Sequence, residues 1–187
     1  MSAEKIPIFI CGFIGSGKST LAKHLAKKYR MRYISGSYFH KQLAVERLHL
    51  EKSTSIAHGF WETKIGQKAN AQRHKDSNID REVDRRLLHY LREHPNTVSD
   101  SRLMPWLYPG KALRIWLKVS EKERVRRVAA RDVLSQTRVR RVIMRRYNTE
   151  WRLYRRIYNI RFGEDFSPFD LVLNTEKMTP QETFALV

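Results

Sequence analysis

The stretch Gly12-Phe13-Ile14-Gly15-Ser16-Gly17-Lys18-Ser19 constrains this chain more than any other. Its pattern, G-x-x-x-x-G-K-S, cradles phosphate where a strand leads in and a helix leads out. Both flanks meet that condition. The apolar run Ile6-Pro7-Ile8-Phe9-Ile10-Cys11 predicts a strand buried on both faces of a parallel sheet. Beyond the loop, Leu21, Leu25 and Ala26 share one helical face, while Lys23, Lys27 and Lys28 share another.

The residue types explain the spacing. Glycines at 12, 15 and 17 let the backbone curl so that successive N–H groups point into one concavity. The first turn of the following helix adds unpaired N–H groups and the positive end of its dipole. Lys18 is placed to reach the β- and γ-phosphates of ATP, and Ser19 to offer its hydroxyl to Mg²⁺. Ser16 and Thr20 complete the expected nucleotide-binding set.

Charge is the second constraint. Lys and Arg number 37 against 19 Asp and Glu, a formal net charge of +18 in 187 residues. Such an excess attracts polyanions, whether nucleotide, RNA or anionic lipid, or else solubilises the surface. The length suits one domain. No run approaches the ~18 apolar residues of a membrane span, and Met1 to Lys5 is short and polar for a signal peptide. A single cysteine excludes an internal disulfide framework and suits a reducing cytoplasm. At the end of an apolar run, Cys11 is expected as a small buried hydrophobe. The seven histidines lack ligand spacing, so no structural metal site is expected.

Strands and helices then alternate. Arg32-Tyr33-Ile34 reads as a second strand, followed by Ser35 and a helix carrying Phe39, Leu43 and Leu48, with Lys41 exposed. Glu51 to Asn78 is polar and weakly periodic; Trp61 and Ile65 suggest at most a marginal helix. Ile79, Val83, Leu87 and Leu91 recur at helical spacing, with Asp80 and Asp84 on a neighbouring face. Thr97-Val98-Ser99 predicts a strand that delivers Asp100-Ser101-Arg102 at the ligand edge of a parallel sheet. Leu113 to Leu117 reads as a fourth strand. Ser120 is an apt N-cap for the next helix, with Glu123 at the capping-box position and Val125, Val128 and Ala129 inward. From Asp132 to Tyr158 one or two long helices are expected, with Val139, Ile143, Tyr147, Trp151, Tyr154 and Tyr158 as an apolar stripe crowded by arginines. Asp170 to Thr175 is a fifth strand, and a short helix follows Thr179-Pro180. The alternation predicts an α/β three-layer fold around a five-stranded parallel sheet.

The phosphate loop, Tyr33-Ile34-Ser35-Gly36, Ile79 to Arg86, Ser101-Arg102-Leu103, Leu113 to Leu117 and Ser167 to Thr175 occur in the order seen in cytidylate kinases, particularly the short archaeal type. The chain resembles that family over nearly its whole length, least from 49 to 78. The resemblance implies a P-loop nucleoside monophosphate kinase with a core (1–34, 96–131, 168–187), an acceptor-binding segment (35–95) and a helical, arginine-bearing lid (132–160). It implies that Ser35, Lys41, Asp80, Asp84 and Arg102 meet the acceptor. It also implies that Arg131 and Arg146 close on the transferring phosphoryl, and that Asp100 sits near Mg²⁺. Two positions depart from the pattern. Lys41 stands where the family usually has arginine, whose planar fork lysine does not reproduce. Asp100-Ser101-Arg102 stands where Glu-Gly-Arg is common.

Three functions compete at this level. The first is ATP-dependent phosphorylation of a nucleoside monophosphate, CMP or dCMP foremost. The second is a related kinase acting on a larger polyanion such as an RNA end, suggested by the net charge, the arginine-rich helices, Lys41 and the basic segment Lys64 to Lys75. The third is a non-catalytic nucleotide-binding switch that docks RNA.

Overall fold

The expected sheet forms. In a computed structural model, which describes residues 5–49, 68, 71, 76 and 78–187, five parallel strands lie in the order β2-β3-β1-β4-β5. They are β1 (Ile8–Gly12), β2 (Arg32–Ile34), β3 (Thr97–Ser99), β4 (Leu113–Lys118) and β5 (Leu171–Asn174). The helices are α1 (Lys18–Lys28), α2 (Ser37–Arg47), α3 (Asn78–Glu93), α4 (Met104–Leu107), α5 (Glu121–Asp132), α6 (Gln136–Tyr158) and α7 (Pro180–Ala185). The expectation of a marginal helix around Trp61 and Ile65 lies outside the described residues, as does the basic run Lys64 to Lys75 apart from 68 and 71.

β1 is central and buried along its length. Successive side chains of a strand point to opposite faces, and here both faces are covered. Ile8 and Ile10 pack with Leu21 and Leu25 of α1, joined by Ile115 and Leu117 of β4. Phe9 faces the other way, onto Phe39 and Leu43 of α2 and onto Ile79, Val83, Leu87 and Leu91 of α3. Cys11, on that same face, meets Trp116, Leu153, Tyr154 and Phe162. Burial pushes its thiol up to about 12, so it stays neutral, as a small hydrophobe does.

β1 pairs with β3 on one side and β4 on the other, in registers Ile8↔Val98 and Cys11↔Trp116. The chain leaves β1 toward β2, returns to insert β3, and crosses to β4. That reversal opens a crevice beyond the C-terminal ends of β1 and β3, where doubly wound sheets bind ligands.

Two local details differ from the sequence expectation. Ser120 does cap α5, accepting from the Glu123 amide at 3.2 Å. The reciprocal bond comes from Glu176, whose carboxylate accepts from the Ser120 amide at 2.7 Å. The Glu123 side chain is drawn away by charge, to Arg126 and Arg127. The apolar stripe of α6 also shifts. A strict i+4 row walks about 40° around a helix per step, so Val139 and Ile143 are followed into the core by Leu153 and Tyr154. Trp151 turns outward, donating to Glu164 at 2.9 Å beneath the Arg155 guanidinium. Val133, with φ 53°, ends α5, and of the one or two helices expected from 132 to 158 a single long one forms, α6 from Gln136. Among the described residues no helix is long and apolar enough to cross a membrane.

Candidate active site

The turn from β1 into α1 has the backbone its glycines permit. Gly12, Gly15 and Gly17 have φ of 142°, 81° and 96°, values that side-chain-bearing residues rarely adopt. A Cβ at Gly12 would lie 2.7 Å from the Leu117 carbonyl oxygen, so strand packing also demands glycine there. Phe13, at a variable position of the motif, anchors the loop. Its ring meets Trp116, Tyr147 and Phe162 edge-on, and the Arg124 guanidinium lies 4.8 Å from its centroid.

Lys18 arcs back over the loop and donates to the Phe13 carbonyl at 2.7 Å. Burial, and then the neighbouring Arg102 guanidinium, pull its ammonium down to about 8. A cation held in this way gains from any anion that enters the loop.

Asp100, at the end of β3, fastens three parts of the fold. It accepts from the Ser19 hydroxyl, from the Tyr33 hydroxyl at 3.0 Å and from the Gly36 amide at 3.1 Å. Burial and the Asp100 charge raise the Tyr33 phenol well above its ordinary value, so Tyr33 remains a donor. Gly36 is tight against this junction, since a Cβ there would stand 3.1 Å from the Ser101 Cα. Ser19 and Asp100 together present a hydroxyl and a carboxylate, oxygen donors of the kind a hard divalent cation takes alongside phosphate and water.

Across the cleft, Glu150 of α6 is buried and draws two arginines together. It accepts from Arg102 and from Arg146, the latter at 2.9 Å. Burial opposes the Arg102 charge, but Glu150 and Tyr154 outweigh it and hold the guanidinium protonated. The Cys11 thiol donates to the Arg102 carbonyl at 3.1 Å. Arg131, at the end of α5, is exposed and chelated by Asp132 at 2.6 and 2.8 Å.

The third wall comes from α2, α3 and the end of α6. His40 sits between the Gly36 carbonyl and the buried Asp80, each at 3.2 Å. Asp84 accepts from the Tyr158 hydroxyl at 2.8 Å. Burial and the Asp84 carboxylate push that phenol up, keeping Tyr158 a donor. Ser35 pairs with Ser37 at 2.9 Å.

These walls enclose a cleft of about 830 Å³. Gly15, Ser16, Gly17, Lys18, Ser19, Thr20, Ser35, Asp80, Asp84, Asp100, Arg102, Arg131 and Arg146 all line it. Gly12 and Lys41 are not among the lining residues. Gly12 shapes the turn from beneath, and Lys41 lies half-buried on α2, one position past the lining His40. Sequence reasoning missed His40, Tyr33 and Glu150, whose partners are 40, 67 and 48 residues away. It also missed Arg127, which lines the cleft and donates to the Thr175 carbonyl at 2.7 Å, tying α5 to the loop after β5. The i,i+4 spacing of Arg146 and Glu150 was the one legible signal of this network.

Comparison with known proteins gives a consistent picture. Residues 8–177 match the cytidylate kinase-like family. A cytidylate kinase of Pyrococcus horikoshii is 31% identical over 188 residues, covering 100% of this chain and 88% of that protein. One from Methanocorpusculum labreanum is 33% identical over 181 residues, covering 96% and 93%. Among solved structures, a shikimate kinase from Bacteroides thetaiotaomicron aligns with a TM-score of 0.51 at 19% identity, over 90% of this chain and 85% of its own. An uncharacterized protein from Eubacterium ventriosum aligns at 0.60 and 13% identity, over 97% and 94%. At such identities the structural likeness speaks for the fold.

Proposed function

The chain belongs to the cytidylate kinase-like family, and on that premise we propose that it moves the γ-phosphoryl group of ATP onto CMP or dCMP. The observation that carries this reading is the convergence of three charged groups on one cleft: Lys18 in the phosphate loop, with Arg102 and Arg146 joined through Glu150 on the facing side. In-line phosphoryl transfer asks a protein mainly to align acceptor and donor and to neutralise moving charge.

In this reading the loop amides and Lys18 hold the donor's triphosphate. Arg102 and Arg146 meet the acceptor phosphate and the transferring group, and Arg131 joins them from the rim. Ser35, Asp80 and Asp84, with His40 beside Lys41, shape the acceptor side within segment 35–95. Segment 132–160 acts as the lid that excludes water, which otherwise competes as acceptor. Ser19 and Asp100 suit Mg²⁺, which when bound neutralises charge on the β- and γ-phosphates.

The test is a panel of nucleoside monophosphates with γ-labelled ATP and magnesium. CMP and dCMP are expected to be phosphorylated fastest. Preference for another nucleoside monophosphate would overturn the acceptor assignment, and inactivity toward all of them would overturn the reaction.

Lys18 adds a pH-dependent prediction. Its ammonium sits at about 8 in the free protein, and a bound triphosphate favours the charged form. Below that pH the proton is already present. Above it, binding must recruit one, so affinity should fall as pH rises past about 8, by at most tenfold per unit. Calorimetry at pH near 9 in buffers of different ionisation enthalpy should show proton uptake on ATP binding; its absence would place the loop's charge elsewhere.

A further inference from the structure

The outer face of α6 carries a row of charge that the cleft does not use. Arg138, Arg141, Arg145, Arg152 and Arg156 are all exposed, and none of them lines the cleft. At about 100° per residue they fall within about 60° of one another around the helix axis. At 1.5 Å per residue the row is about 27 Å long. The buried face of the same helix, Val139, Ile143, Leu153 and Tyr154, points away from it. Several other exposed arginines of this region are paired with acids, Arg126 with Glu123, Arg131 with Asp132 and Arg140 with Glu121, and Arg155 lies over the Trp151 ring. The five in the row have no carboxylate partner among the described residues. Like charges three and four positions apart repel, so the row weakens its own helix until an anion neutralises it.

We propose that this face docks the sugar–phosphate backbone of a single-stranded nucleic acid. Guanidinium groups match phosphate oxygens with two parallel N–H donors, which a lysine row would not. A straight row suits a strand that can follow it, whereas a rigid duplex curves away from a line of this length. A membrane surface fits poorly. Interfacial helices insert an apolar face, and the apolar face of α6 is occupied by the core, with Asn148 standing among the arginines of the row. The net charge of +18 supplies long-range steering toward such a partner.

The test uses the full chain and a fluorescent oligouridylate of about 12 nucleotides, a length within the usual single-strand site sizes. Five phosphate contacts predict a slope of log affinity against log salt near −3.5, about a hundredfold loss between about 50 and 200 mM. The triple substitution R141Q/R152Q/R156Q should lower the slope's magnitude by about 2 while leaving the circular dichroism unchanged. K27Q/K28Q on α1 should leave the slope as it is. Saturating ATP should not displace the oligonucleotide, and a deoxyribonucleotide strand should bind alike. Absence of binding at about 50 mM salt would overturn the proposal. So would an unchanged slope in the triple variant, displacement by ATP, tighter binding of a duplex, or a preference for phosphatidylserine vesicles that depends on the same arginines.

Discussion

Lys18→Met is expected to lower the rate of phosphoryl transfer by about 10²–10³, the usual effect of removing one preorganised electrostatic contact. Methionine keeps the length of the stem and deletes the charge. The loop amides stay in place, so nucleotide binding should weaken less than turnover does. The same variant should fold at least as stably as the parent. In the folded chain the Lys18 ammonium lies at about 8, below its ordinary value of 10.5, because the fold disfavours its charged form. Between those two values the unfolded chain binds more protons than the folded one, so parental stability rises with pH across that window. Lys18→Met should lack that rise. Single-turnover kinetics and denaturation at pH 7 and pH 10 measure both halves. A rate within about tenfold of the parent would remove Lys18 from the reaction.

Glu150→Gln should be the most damaging conservative change to stability. It leaves Arg102, which burial already penalises, without its opposing charge. Breaking a buried pair on one side costs about 3–5 kcal/mol. In a domain of this size that corresponds to a fall in melting temperature of about 6–20 °C. Arg146, released from its 2.9 Å contact, should lose its position as well, so activity should drop with stability. The double variant Glu150→Gln/Arg102→Met separates the effects. An apolar side chain in place of the buried cation should restore most of the stability and none of the activity. A Glu150→Gln midpoint within about 2 °C of the parent would mean that solvent already screens the pair.

Much of the molecule is local, and local features read directly from the chain. The loop's glycines, the periodic apolar faces of α1, α3 and α5, the cap at Ser120, and the apolar runs of β1 and β4 depend on neighbours a few residues apart. Those were anticipated, apart from boundaries of one or two residues and the extra turn α4. The Glu123 side chain was misread as half of a capping box because a more distant carboxylate, Glu176, reached the Ser120 amide while nearby arginines claimed Glu123. Trp151 was expected in the apolar stripe, but a strict i+4 row drifts around the helix and leaves it half-buried at the stripe's edge.

The cleft's far wall was different in kind. Arg102 and Arg146 were both expected near phosphate, yet the i,i+4 spacing links Glu150 to Arg146 alone, and no spacing says that the same carboxylate also holds Arg102. Likewise Lys41 stood out by its departure from the family pattern, while the lining residue was its neighbour His40.

What the chain's order of residues decided alone was the glycine-rich turn, the strand and helix on either side of it, and the class of sheet they imply. A few adjacent φ/ψ angles and one apolar period determine all three. What only the tertiary structure decided was which charges share a cavity: Asp100 with Ser19 and Tyr33, Glu150 with Arg102, Asp80 with His40. Coulomb and hydrogen-bond energies depend on distance through space, and the crossovers of the sheet bring together groups that no sequence spacing relates.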